Sequence, residues 1–351
     1  MNRWMGKIKA LILLGFVSLV LAACGKENLT ALDPKGYGAE VSMDIMILSI
    51  IIMIAVFVIV MLVYTVAIIR FRRKKGQENY IPKQVEGNHK LEIVWTAIPI
   101  VLVIILAVPT IFTVFDLADD ADASESISID VTGNQYWWHF NYSNEEIQTS
   151  QDMYIPVNEK VYLNIDSADV IHSFWVPTIS GKMDANPENT NTMYIEAYEE
   201  GVYWGKCAEL CGPSHSLMDF KIVVVSQEEY DQWVEDMKSV DPEAEPETAS
   251  AQEGKDLFEA NSCIGCHAIG SSPSAVGPNL TNFANRTTLA GVEDLTYENL
   301  VDWLMNPEAL KPGNKMTGNY PELSEDEASS IAEYLLGLDH SEINPESAGN
   351  E

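Results

Sequence analysis

Basic residues are scarce in this 351-residue chain: 21 Lys and Arg stand against 52 Asp and Glu, a formal charge of −31. The deficit is uneven, with 9 basic against 45 acidic side chains in residues 116–351 but 12 against 7 in residues 1–115. This excludes nucleic acid as a partner of the distal part, because binding a polyanion rests on Lys and Arg that neutralise phosphates. Cysteine is scarce as well. The five fall into three local contexts with none left over, Cys24, then Cys207 with Cys211, then Cys263 with Cys266, which is not the spacing of a small disulfide framework. What remains is a basic, apolar N-terminal third and an acidic body. The acidic surface either steers basic proteins toward it or serves only as a solvated face, and the length asks for two or three folded units.

Residues 1–23 carry Arg3, Lys7 and Lys9, then the apolar run Ala10–Leu21, ahead of Cys24. This is the pattern of an export signal, and Leu21-Ala-Ala-Cys24 resembles the lipobox of bacterial lipoproteins, which implies acylation of Cys24. An ordinary signal peptide and a first membrane span are the competing readings, and the run is short for a span. After an outer segment, 24–44, residues 45–69 are apolar almost throughout and end at Arg70-Phe-Arg-Arg-Lys-Lys75. Residues 93–115 form a second such stretch, interrupted by Pro99 and Pro109, which neighbouring helices can accommodate. Each is long enough to cross a hydrocarbon core of about 30 Å. The basic segment between them, 70–92, belongs in the cytoplasm by the positive-inside rule, so both mature ends face outward.

Beyond the acidic stretch Asp116–Glu125 the chain alternates polar and apolar residues in short runs: Ile127–Val131, Lys160–Ile165, Met193–Tyr198 and Lys221–Val225. Such runs argue a small β-sandwich or barrel over 116–238. Between the last two lies Cys207-Ala-Glu-Leu-Cys-Gly-Pro-Ser-His215-Ser-Leu-Met218, which gathers two thiols, an imidazole and a thioether. Soft thiolate and thioether ligands select copper, and two cysteines four apart can each bridge two metal ions. A disulfide or a zinc site competes with this reading, but neither needs Met218. A copper loop of this kind also needs a distant imidazole. His172 in Val170-Ile-His-Ser-Phe-Trp-Val-Pro177 is the candidate, although a His in an apolar strand is more often structural.

Residues 239–250 alternate Pro and Glu at low apolarity and read as an acidic linker. In the unit that follows, 251–340, Cys263-Ile-Gly-Cys266-His267 is the signature of covalent c-type haem attachment. The thiols would form thioethers to the haem and His267 would be the proximal iron ligand. No βαβ pattern surrounds this motif, which argues against a thioredoxin-like redox pair. Met316 is the candidate distal ligand, Met305 in Leu300–Met305 is expected in the core, Ser324-Glu-Asp-Glu327 is a capping box that opens a terminal helix, and 341–351 is a tail.

The copper loop resembles subunit II of haem-copper cytochrome c oxidases, Cys-x-Glu-x-Cys-Gly-x-x-His-x-x-Met, at every fixed position, and Val170–Pro177 resembles that family's Val-x-His-Ser-x-x-Val-Pro. The resemblance implies a dinuclear Cu(A) with Cys207 and Cys211 as bridges. His172, His215 and Met218 would be terminal ligands, and Glu209 would ligate through its carbonyl while its carboxylate helps hold magnesium at the boundary with the catalytic subunit. Gly133-Asn-Gln-Tyr136-Trp-Trp138 resembles the segment in which an exposed Trp admits electrons. Tyr136 stands at that position here, with Trp137 and Trp138 beside it, and packing over the copper loop is an equal reading for these rings. Pro312-Gly-Asn-Lys-Met316 resembles the distal loop of class I cytochromes c, and Gly277-Pro278 resembles the loop whose carbonyl orients the proximal His.

Taken together, the chain resembles subunit II of caa(3)-type bacterial oxidases. The implied architecture is a two-helix transmembrane hairpin, a cupredoxin-like Greek-key β-barrel or sandwich, and an all-α class I cytochrome c domain. The implied role is to relay electrons from cytochrome c or a quinol-cytochrome c reductase through haem c and Cu(A) to a dioxygen-reducing subunit I, at the outer face of the bacterial cell membrane. The chain itself holds no site for dioxygen reduction. A subunit of a nitric oxide reductase and a copper-delivery or redox-sensing lipoprotein are the alternatives.

Overall fold

The computed structural model describes residues 2–21, 28–72, 76, 81, 84, 86–118, 126–271, 276–345 and 348. Cys24 lies outside the described residues. Helix α1 spans Asn2–Leu21. The two long apolar stretches form α2, Tyr37–Phe71, and α3, His89–Leu117, both apolar and long enough to cross a membrane, with their most apolar windows unburied within the chain. Asn88 caps α3 by accepting from the amides of Lys90 and Leu91, and the helix continues through Pro99 and Pro109. At 1.5 Å per residue α2 is about 52 Å long, well over a hydrocarbon core, and its N-terminal end reaches the β domain. There Lys35 N donates to Thr178 O at 2.7 Å, and Ala39 N to Ile179 O at 3.1 Å. A Cβ at Gly36 would lie 2.5 Å from Glu196 O, so only glycine allows this close approach.

The β domain has ten strands: β1 Ser128–Asn134, β2 Trp137–Tyr142, β3 Ile147–Ser150, β4 Asp152–Pro156, β5 Val161–Ser167, β6 His172–Trp175, β7 Lys182–Ala185, β8 Asn191–Ile195, β9 Gly201–Cys207 and β10 Phe220–Val225. They form two five-stranded sheets, β3-β2-β1-β5-β8 and β4-β10-β9-β6-β7. Alternation decides the facing: Ile129 and Val131 of β1, Trp138 and Phe140 of β2, and Leu163 and Ile165 of β5 are buried between the sheets, with their neighbours turned outward. The segment Gly133–Tyr142, read from the sequence as an aromatic cluster, is the β1–β2 hairpin with Gly133 opposite Trp138. Helix α4, Gln227–Lys238, closes one end, with Ser226 and Glu229 as a reciprocal capping box and Trp233 stacked on Tyr154 at 4.6 Å.

The last unit is helical: α5 Ala249–Ala260, α6 Tyr297–Met305, α7 Pro307–Leu310 and α8 Glu325–Leu336. Helix α5 begins with the last two residues of the stretch read as linker, Ala249 and Ser250, because Thr248 caps it by accepting from Ala251 N at 3.1 Å. The Ser324–Glu327 capping box is formed, and Ile331, Leu335 and Leu338 are buried. Met305 corrects the expectation of a core residue. It is 47% exposed, because Leu300, Val301 and Leu304 supply the inward face of α6 and the next position turns outward.

Candidate functional site

The sandwich assembles its metal donors from the ends of two neighbouring strands. β6 begins at His172 and β9 ends at Cys207, and these strands pair with Phe174 opposite Cys207. The remaining donors lie on the loop before β10, where residues 215–217 form a single 3₁₀ turn. Cys207 Sγ is 3.8 Å from His172 Nδ1, 3.9 Å from Cys211 Sγ and 3.2 Å from the Glu209 carbonyl oxygen. Cys211 Sγ is 3.7 Å from His215 Nδ1 and 3.9 Å from Met218 Sδ. The sulfurs are too far apart for an S–S bond of about 2.05 Å, so the disulfide reading falls away. Among the described residues, His172, Cys207 and Cys211 are the metal-capable group whose donor atoms all lie within 4.8 Å of one another.

The donor set fits soft metal ions. Cys207 deprotonates first, because its contact with the Cys211 thiol, aided by the His172 ring, favours the thiolate against the cost of burial. The same contact, reinforced by burial and by that thiolate's charge, drives Cys211 well above the ordinary thiol range. Two buried thiolates this close therefore require positive charge between them, which metal ions supply. The imidazole is pre-oriented. Asp169 Oδ1 accepts from His172 Nε2 at 2.8 Å, so the proton sits on Nε2 and the Nδ1 lone pair faces the sulfurs. A Cβ at Gly133 would come within 2.9 Å of the His172 ring. Gly212 holds φ at 137° and packs on the Tyr136 hydroxyl, while Gln135 Nε2 donates to Cys211 O at 2.6 Å. The Glu209 side chain is exposed.

In the helical unit Cys263, Cys266, His267, Pro278 and Met316 all line one crevice, part of it open to solvent, walled by apolar side chains such as Phe258, Leu304 and Ile331. Cys263 and Cys266 are not joined in a disulfide. His267 Nδ1 lies 2.8 Å from Pro278 O, and since a carbonyl only accepts, Nδ1 carries the proton and Nε2 is left as a metal donor. Burial pushes the His267 pKa down and so favours the neutral ring that a metal needs. A Cβ at Gly277 would meet His267 Cε1 at 2.9 Å, so the ring seats on a glycine. An apolar crevice bearing two thiols, a polarised imidazole and a thioether fits a haem. Met305 does not line it.

The crevice and the copper loop adjoin. Gln135, Tyr136, Trp137 and Gln151 of the β domain line the crevice together with the helical unit. Ser214 Oγ donates to Pro312 O at 2.6 Å, and Asn279 N donates to Ser150 Oγ at 3.1 Å. Trp138 is fully buried inside the sandwich, 5.9 Å from the His172 ring, and Tyr136 is buried, which leaves Trp137 half-buried. Sequence reading missed Asp169, Gln135 and Lys311. Asp169 stands three residues before His172, and a carboxylate at that spacing was the available signal. Lys311 lines the crevice with its Nζ donating to Ala290 O at 2.6 Å, and burial pushes it down to about 7 against the pull of Asp219 and Cys211.

Two membrane-length helices, a sandwich with a two-thiol loop and a helical unit whose crevice fits a haem define the class, a membrane-anchored electron-transfer subunit. Residues 39–113 match the transmembrane domain of cytochrome c oxidase subunit II, residues 144–226 match its periplasmic domain, and residues 251–339 match cytochrome c. The chain is 50% identical over 330 residues to cytochrome c oxidase subunit 2 of Alkalihalophilus pseudofirmus, covering 93% of this chain and 95% of that one. It is 43% identical to cytochrome c oxidase subunit 2 of Bacillus sp. PS3, covering 96% and 99%, and 42% identical to that of Bacillus subtilis, covering 94% and 97%. The chain belongs to the cytochrome c oxidase subunit II family. It is an electron-transfer subunit of an oxidoreductase complex that partners with subunit I at the cell membrane, and its domains imply copper and haem.

Proposed function

We propose that this subunit accepts single electrons at a haem c bound through thioethers to Cys263 and Cys266, passes them to a dinuclear Cu(A), and delivers them to subunit I for dioxygen reduction. The observation that carries this reading is the shared boundary of the two sites: Tyr136 and Trp137 line the haem crevice, and Gly212 of the copper loop packs on the Tyr136 hydroxyl. Bound copper supplies a one-electron couple spread over two ions, and bound haem supplies the iron couple. The chain holds and orients these groups. His267, with its proton fixed on Pro278, and Met316 would hold the iron, while a thioether raises the potential toward that of an electron carrier. His172, Cys207, Cys211, His215, Met218 and the Glu209 carbonyl would hold the copper.

The exposed Glu209 carboxylate would complete a magnesium site with residues of subunit I, and Cys24 would carry a lipid anchor. The electron source is cytochrome c or a quinol-cytochrome c reductase. The hairpin sets both soluble domains on the outer face of a bacterial cell membrane. The test is dioxygen uptake by the purified complex supplied with reduced cytochrome c, with haem c oxidation and copper reduction followed separately. Nitric oxide consumption without dioxygen uptake, or a copper ion that transfers readily to a chelator, overturns the reading.

A further inference from the structure

Polar contacts join the helical unit to the sandwich, among them Lys221 Nζ to the Thr287 hydroxyl and Ser341 Oγ to Asp236, and one carboxylate takes part in both the copper site and the meeting. Asp169 is 13% exposed; one oxygen accepts from His172 Nε2 at 2.8 Å, while the other accepts from Lys315 Nζ at 2.6 Å and from the Gln135 amide at 2.9 Å. Lys315 immediately precedes Met316, which lines the haem crevice. The same short loop meets the copper loop itself twice, through the Ser214 hydroxyl on Pro312 O and through Gly313, where a Cβ would lie 3.5 Å from Pro213. Residues 116–351 have only 9 basic side chains. In so acidic a body Lys315 has a choice of carboxylates, and the one it takes touches a copper ligand.

We propose that Lys315 and Asp169 form a latch that seats the haem crevice on the copper loop, with Asp169 as a positioning residue that serves both centres at once. The inference rests on the haem-to-copper reading above and deepens it. Seen from the copper, the carboxylate fixes the His172 ring with its Nδ1 toward the sulfurs. On the haem side it draws the distal-ligand loop against Pro213 and Tyr136. Two consequences follow: the cytochrome unit works docked rather than by repeated encounter on its linker, and the face of the copper loop around Ser214 and Asp169 is closed to a separate soluble donor, which must deliver its electron to the haem.

The test is a double-mutant cycle on the full holo-subunit, Lys315→Met and Asp169→Ala singly and together. Haem-to-copper transfer is followed after photoreduction of the haem, where each electron lost by ferrous iron is gained by copper, and the copper resonance spectrum is recorded in parallel. Lys315→Met is expected to slow transfer about fivefold, the size a half-exposed ion pair carries, with the copper spectrum unchanged; Lys315→Arg is expected to restore the rate. Asp169→Ala is expected to slow transfer further and to alter the copper spectrum, and adding Lys315→Met to it is expected to have no further effect. Equal, additive losses from Lys315→Met in both backgrounds overturn the latch, as does a wild-type rate in Lys315→Met. Absence of haem-to-copper transfer in the wild-type subunit is a different failure, that of the reading beneath it.

Discussion

His172 Nε2 and Asp169 Oδ1 lie 2.8 Å apart, and the same carboxylate also meets Lys315 and two backbone amides. Burial would raise the Asp169 pKa, but hydrogen bonds from His172, Lys315, Gln135 and Val170 outweigh it and hold the carboxyl well below the usual range. A carboxyl depressed in the folded state adds stability above its unfolded pKa of about 3.9 and loses it as pH falls below that value. Melting temperature of the holo-subunit is therefore expected to begin falling at about pH 5 and to fall most steeply below about pH 4, down toward the depressed folded-state value, and Asp169→Asn is expected to flatten the slope. Parallel curves for the two proteins would contradict this assignment.

The proposed dinuclear copper rests on the two thiols. Cys207 and Cys211 sit 3.9 Å apart, each also facing one imidazole. Metal analysis is expected to give two coppers per sandwich, and electron paramagnetic resonance one unpaired electron shared between them. Replacing Cys211 with Ser is expected to abolish the shared state and leave a single localised Cu(II) signal. A localised signal in the wild-type protein would refute the dinuclear site.

Met316 lines the haem crevice whereas Met305 is exposed on α6. Met316→His is expected to keep a six-coordinate haem with a lower midpoint potential, because imidazole favours the ferric state more than a thioether does. The sulfur-to-iron absorption band is expected to vanish in Met316→His and to persist in Met305→Leu. The opposite pattern would reassign the distal ligand.

Gly254 of α5 lies against the backbone carbonyl of Ser330 in α8, in direct contact with where a Cβ would stand. The neighbour is backbone and cannot swing away, so Gly254→Ala is expected to cost about 1–3 kcal/mol of domain stability. Denaturant unfolding of the holo-subunit measures it. A loss confined to the cytochrome transition, with the copper spectrum intact, is the expected pattern, and an unchanged transition would mean that the helices move apart freely.

Much of this chain was legible in one dimension because its chemistry is local. The thiols, His215 and Met218 fall within one loop, and Cys263, Cys266 and His267 within one turn, so spacing alone reports them. Apolar length reports the two spans in the same way. Strands were harder. Lys221–Val225 and Lys160–Ile165 stood out by their aliphatic alternation, whereas β9, Gly201–Cys207, was overlooked, since Gly205 interrupts its pattern to make room for the Phe220 ring. Met305 was misjudged because composition cannot tell which side of a short helix meets the core.

The sequence by itself determined the donor types, the attachment motif, the membrane hairpin and the charge contrast between the halves. Each of these depends on residues a few positions apart. Only tertiary structure decided that Asp169 points one oxygen at His172 and the other at Lys315, that Trp138 is core while Trp137 borders the haem crevice, and that Pro312 meets Ser214. The physical reason is separation along the chain. Asp169 and Lys315 are 146 residues apart and Ser214 and Pro312 are 98 apart, so the loops between them carry no pattern that encodes the contact, which comes from the packing of two independently built cores.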